Sequence, residues 1–176
     1  DDLPKDEIVK LYLRLGDIKE GLGDKSKALN MFEKALDADH SNREALTRVV
    51  DAYADKGDFD AVARCKKNLL KLSDRESQRA LLLEELGDLA ADKLKRPNEA
   101  IGYYSDSAKV IEQAGEEELA KEVAKEDAAG KAPSLRRVYF KLLDVYTGQK
   151  KWADAVEVIK KLEAIETKPA QVYRLH

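Results

Sequence analysis

Cysteine is nearly absent from this chain, and so are long apolar runs and histidine. Cys65 is the only cysteine, so no internal disulfide and no thiolate zinc site can form. The longest apolar stretches, such as Ala80-Leu81-Leu82-Leu83, fall far short of the roughly 20 residues that span a bilayer. No membrane insertion is expected. The two histidines, His40 and His176, stand far apart in the chain, and no His/Asp/Glu group has metal-ligand spacing. Basic residues are not in excess either: 32 Lys and Arg against 35 Asp and Glu give a net charge of −3. Phosphate contacts dominate nucleic-acid affinity, so no nucleic-acid partner is expected. Gly (nine) and Pro (four) are few, and Val, Ile and Thr are too scattered for alternating strand runs. What remains is 43% hydrophobic and 38% charged residues, rich in helix formers, which predicts an all-α fold.

The chain opens on Asp1-Asp2-Leu3-Pro4, without an initiator Met or a signal peptide. It therefore reads as a piece of a longer protein. The redox compartment is left open, with a cytoplasmic setting favoured.

The glycines near the start raise one catalytic reading. Gly16 and Gly21 have the glycine spacing of a phosphate-binding loop, but Leu22-Gly23 follow where Lys and Ser/Thr are required, and no strand precedes them. Gly21-Leu22-Gly23 lacks the third glycine of a dinucleotide fingerprint. Cys65 has no evident His partner and reads as a small hydrophobe. No enzyme activity and no cofactor are expected.

The organising signal is a repeat. Gly23-Asp24 recurs 34 residues later as Gly57-Asp58, and Leu15-Gly16-Asp17 recurs after 71 residues as Leu86-Gly87-Asp88, three more than two such periods. Apolar residues within each period follow helical spacing, so each unit reads as two amphipathic helices. From Val9, the residues Tyr12, Leu15, Gly16, Gly23, Ala28, Phe32 and Ala35 fall in the register of the tetratricopeptide repeat. The chain resembles that family over nearly its whole length. A second unit from Arg43 keeps Leu46, Tyr53, Gly57 and Phe59. A third from Ala80 has Leu83, Leu86, Gly87, Ala100 and Tyr104, with one residue inserted in the turn LKRPNEA. A fourth from Arg136 has Tyr139, Leu142, Tyr146, Trp152 and Ala155, and Ala170 with Tyr173 would begin a fifth.

This resemblance implies a right-handed α-solenoid of helix–turn–helix repeats at about 9–42, 43–79, 80–114 and 136–169, with a helical insert at 115–135 and a further helix from 170–176. Gly16 is expected to pack against Ala28, and Gly87 against Ala100. Val50 opposite Val62 should hold the second pair further apart and make that unit the least regular. The aromatics, Trp152 included, are expected to fill the core. The insert, with Leu119 and Val123 on a narrow stripe and Glu117 paired with Lys121, should continue the preceding helix or form a short one ending near Gly130 and Pro133. It reads as a solvated spacer or a partner contact.

In the family the first helix of each unit lines an inner groove. The corresponding residues here carry nine acids against two bases, Lys10 and Arg137, a local −7. Asp stands at the ninth position of every unit: Asp17, Asp51, Asp88 and Asp144. Some relatives grip a C-terminal carboxylate with Lys and Asn in this groove; Asp in the Asn position would repel that ligand. The resemblance thus implies a non-catalytic scaffold binding a protein or peptide through Asp17, Asp51, Glu84, Asp88, Asp92, Arg137, Phe140 and Asp144, and the acids suit a basic segment. Arg14, Arg48 and Lys141 each precede one of these aspartates by three residues and can pair with it along the helix, leaving Asp88 without such a partner. The alternative is an architectural spacer or self-assembly segment of a longer repeat protein, associating through its open repeat ends.

Overall fold

In the computed structural model, backbone is described for residues 3–127 and 130–172, and side chains as far as 166. Among these residues the protein is all helix and turn, without a strand. The helices group into two compact units, Asp1–Ser73 and Asp74–His176. The first holds α1 (Lys5–Gly21), α2 (Lys25–Ala38), α3 (Arg43–Lys56) and α4 (Phe59–Leu72). The second holds α5 (Glu76–Asp88), α6 (Pro97–Ala114), α7 (Glu116–Ala124), α8 (Leu135–Gly148) and α9 (Trp152–Val172). α1 pairs with α2, α3 with α4, α5 with α6 and α8 with α9 as helical hairpins. α9 runs through Ala170, where the spacing had placed the start of another helix, and Tyr173 lies outside the described residues.

The turns explain why each hairpin forms. Each first helix is followed by a left-handed residue, and in the first two hairpins the second helix starts on a capping aspartate. Gly23 (φ 78°) and Gly57 (φ 77°) adopt the conformation that lacks a steric cost only for glycine. Their neighbours Asp24 and Asp58 then accept hydrogen bonds from the backbone N–H groups of Lys27 (3.2 Å) and Ala61 (3.0 Å). The last carbonyls of α1 and α3 are met by the same backbone pattern: Asp24 N–H donates to Lys19 O and Asp58 N–H to Tyr53 O. In the other two hairpins the left-handed position is occupied by Lys95 (φ 55°) and Lys150 (φ 56°), which carry the strain of a side chain there.

The residue inserted in the third unit does not lengthen the turn. It is absorbed upstream, where α5 continues as a π-helical segment, Leu89–Lys93. There Leu94 N–H donates to Leu89 O at 3.0 Å, one residue further back than in an α-helix.

The atoms nearest the close-packing glycines belong to an aromatic ring. A side chain added at Gly16 would stand inside contact distance of the Phe32 ring, and one at Gly87 would meet the Tyr104 ring. The aromatic of the second helix therefore lies on the glycine of the first. Phe32 (1% exposed) and Tyr104 (3%) are core residues as a result. Units that lack the glycine also lack the ring: Val50 goes with Lys66, and Leu143 with Ile159. α3 packs on α4 less extensively than α1 on α2 or α5 on α6. Trp152, 60% exposed, is not core, since no helix among the described residues covers the start of α9.

The insert is neither a continuation of α6 nor a solvated spacer. Gly115 (φ 86°) ends α6 and redirects the chain, and α7 packs on α5 and α6 with Leu119 buried at 2%. It ends at Ala124, earlier than expected. Its carboxylates cap other helices: Glu122 accepts from Ser77 N–H of α5 (2.8 Å), and Glu116 from Leu135 N–H of α8 (2.6 Å). Arg75, which precedes α5, makes no side-chain cap of its own, so α7 supplies one.

Candidate partner-binding face

In the first unit, the sequence-predicted acids lie on α1 and α3. Asp17 and Asp51 are exposed. Asp17 is not held by Arg14 along its own helix; Arg48 reaches across from α3 to it at 2.9 Å. The Arg48 guanidinium also lies 5.9 Å from the Phe32 ring centroid, so the residue stacks on the ring and bonds the acid together. Asp55 of the same face pairs with Lys25 at 2.5 Å. Glu20, Glu44 and Asp51 stay exposed.

The second unit repeats this arrangement in stronger form. Glu84 of α5 is 2% exposed and is gripped from α8. Arg137 donates Nε–H to Glu84 Oε1 and Nη2–H to Oε2, both at 2.7 Å, and Lys141 Nζ stands 2.7 Å from Oε1. Burial by itself would push the Glu84 carboxyl up; the hydrogen bonds from Arg137 and Lys141 outweigh it and hold the group down at about 2. Lys141 also bonds Asp88, at 2.6 and 2.7 Å to its two oxygens. Against the penalty of burial, these bonds to Asp88 and Glu84 keep the ammonium charged. Tyr104 O–H donates to Asp88 at 2.8 Å; burial and this bond to a carboxylate push the phenol well above its ordinary range. Asp88, which the spacing left without a basic partner, is thus the best-bonded aspartate of the four.

Two expectations change here. Glu84 belongs to the packing between α5 and α8 and is not an open contact. The pairs run between hairpins: Arg48 to Asp17 and Lys141 to Asp88 each join the sixth residue of one first helix to the ninth of the preceding one. Within each unit bases offset the acids: Lys25 and Arg48 in the first, Lys131 and Lys141 in the second. Helix spacing alone showed same-helix neighbours; the cross-helix partners were visible only as Arg48 and Lys141 recurring at one position of the repeat.

Of the remaining candidates, Asp92 and Asp144 are exposed. Phe140 is 44% exposed, with the Arg136 guanidinium 5.7 Å from its ring centroid. The irregular segment leaving the insert also reaches this face. Lys131 Nζ stands 3.4 Å from Glu84 Oε1, and Arg137 Nη2–H donates to Ala132 O at 3.1 Å. Among the described residues no group of His, Cys, Asp and Glu is placed to hold a metal ion.

A profile of the tetratricopeptide repeat family matches residues 9–42. Comparison with curated proteins gives no significant match. Three solved structures share the fold at low identity. The apo form of RapI aligns at 15% identity and a TM-score of 0.53, over 94% of this chain and 58% of its own. The N-terminal domain of stress-induced protein-1 (STI-1) from C. elegans aligns at 16% and 0.52, over 70% of this chain and 98% of its own. Aspartyl phosphate phosphatase F from Bacillus subtilis aligns at 13% and 0.51, over 97% and 43%. The chain thus spans little more than half the length of RapI. With the family's repeat matched at 9–42 and helical hairpins of the same kind beyond it, the chain shares the fold of tetratricopeptide-repeat structures.

Proposed function

We propose that the chain is a non-catalytic protein–protein interaction scaffold whose first-of-hairpin helices receive a basic, extended segment of a partner. The observation that carries this reading is the chain's own segment at 131–132. There a lysine ammonium lies against the acid of a first helix, and a backbone carbonyl accepts from the neighbouring guanidinium. A peptide would make contacts of the same two kinds with the acids that stay exposed. Exposed Glu20, Glu44 and Asp51 on the first unit, and Asp92 on the second, offer further acids to lysine or arginine side chains. Such pairs steer association more than they tighten it.

A fluorescein-labelled peptide alternating lysine and alanine tests this by anisotropy. The wild type is expected to bind it, and D51K and D92K to weaken binding, while an alternating glutamate–alanine peptide stays unbound. Equal binding by the charge-reversed variants, or none by the wild type, would overturn the reading.

A further inference from the structure

Two stacking faces of this molecule are bare, and they match each other. On α3 and α8, one stripe packs against the second helix of the preceding hairpin. Ala45 (0% exposed) and Val49 (1%) of α3 lie in the core formed with α2, and Val138 (0%) and Leu142 (4%) of α8 in the core formed with α6. The same positions of α1 hold Leu11 and Leu15, followed by Ile18, larger aliphatic residues that are 49%, 42% and 57% exposed. The opposite face is bare on α9. Ile159 occupies the position of Phe32 and Tyr104, which Arg48 of α3 and Lys141 of α8 cover. Ile159 is 42% exposed, with Val156 (49%) and Trp152 (60%) beside it. Among the described residues no helix covers this stripe of α1 or this face of α9.

The charges say what fits. Each internal junction described above is locked by a base at the sixth position of one first helix and an aspartate at the ninth of the preceding one: Arg48–Asp17 at 2.9 Å and Lys141–Asp88 at 2.6 Å. α1 carries Arg14 at that sixth position, and α8 carries Asp144 at that ninth position. Both are exposed, and among the described residues neither has an ion-pair partner. We infer that a second copy of this chain stacks head to tail, α1 of one copy on α9 of the preceding one, with Arg14 on Asp144 of that same preceding copy. The apolar stripes supply the burial, and the ion pair sets the register. Because the two surfaces differ, the contact is heterologous, and each added copy presents the same open ends.

Sedimentation equilibrium over a range of concentrations tests this on the whole chain. The wild type is expected to exceed its monomer mass of 19.7 kDa increasingly with concentration, without settling at one stoichiometry. R14D alone and D144R alone each place like charges at the junction and should weaken association at least about tenfold. Mixed in equal amounts, the two variants regain opposite charges at every junction, so assembly should return. I18E, which removes the apolar match instead, should stay monomeric in every mixture with itself. A monomeric wild type at all concentrations, single variants that still assemble, or a mixture of R14D and D144R that stays monomeric would each overturn the inference. Circular dichroism confirms that the exposed substitutions leave the helices intact. D51K, which tests the peptide-binding reading, is expected to assemble as the wild type does, so the two ideas fail separately.

Discussion

Replacing Glu84 by Gln keeps the shape of the side chain and removes its charge, which isolates the network between α5 and α8. The folded carboxyl is held at about 2 against 4.5 for the free group. At about 1.4 kcal/mol per pKa unit, the charge contributes about 3 kcal/mol to stability at neutral pH. Because the folded value is the lower one, this contribution is complete above pH 4.5 and fades as pH falls toward 2. E84Q leaves Arg137 and Lys141, 29% and 25% exposed, facing a neutral amide. Lys141 keeps Asp88, so Arg137 is the cation left short of a partner. Urea unfolding, followed by circular dichroism and by Trp152 fluorescence, measures the difference. We expect E84Q to lose about 3 kcal/mol at pH 7 and only about 1 kcal/mol at pH 3. A loss under about 0.5 kcal/mol at pH 7, the worth of an ordinary surface pair, would refute the reasoning. So would a loss that does not change with pH.

Three further outcomes follow from the turns and the packing. G16A and G87A drive a methyl group into the Phe32 and Tyr104 rings and should each cost about 1–2 kcal/mol despite the better helix propensity of alanine. G21A, with open space around it, should instead be neutral or stabilising by up to about 1 kcal/mol in the same thermal melts. K95G and K150G relieve a left-handed side chain and should raise stability by about 0.5–1 kcal/mol, read as an upward shift in urea midpoint. E122Q weakens the cap that α7 places on α5; faster hydrogen exchange confined to the first turn of α5 is expected, at a cost of about 1 kcal/mol.

The hairpins were legible because their determinants are local. Gly23-Asp24 and Gly57-Asp58 carry both the left-handed turn and the cap in two adjacent residues, and the period follows from their spacing. The partner of Gly16 was written in the sequence as well: glycine and aromatic occur together in the first and third hairpins and are absent together from the other two. That signal lies between positions, and a reading of each position alone passes over it. The site was less legible for a physical reason. Helix periodicity reports which residues share a face of one helix, whereas Glu84, Arg137 and Lys141 meet across two helices separated by an insert. The role of α7 depends on the same kind of distant contact, since Glu116 and Glu122 bond backbone groups far away in the chain.

The scaffold reading is tested most directly by the salt dependence of binding to the labelled lysine–alanine peptide. Between about 0.01 and 0.1 M ionic strength the screening length shrinks from about 30 to about 10 Å. Contacts between exposed acids and a basic segment should weaken clearly over that range, and D51K should flatten the dependence. Affinity that is indifferent to salt, or that D51K leaves unchanged, would contradict the account.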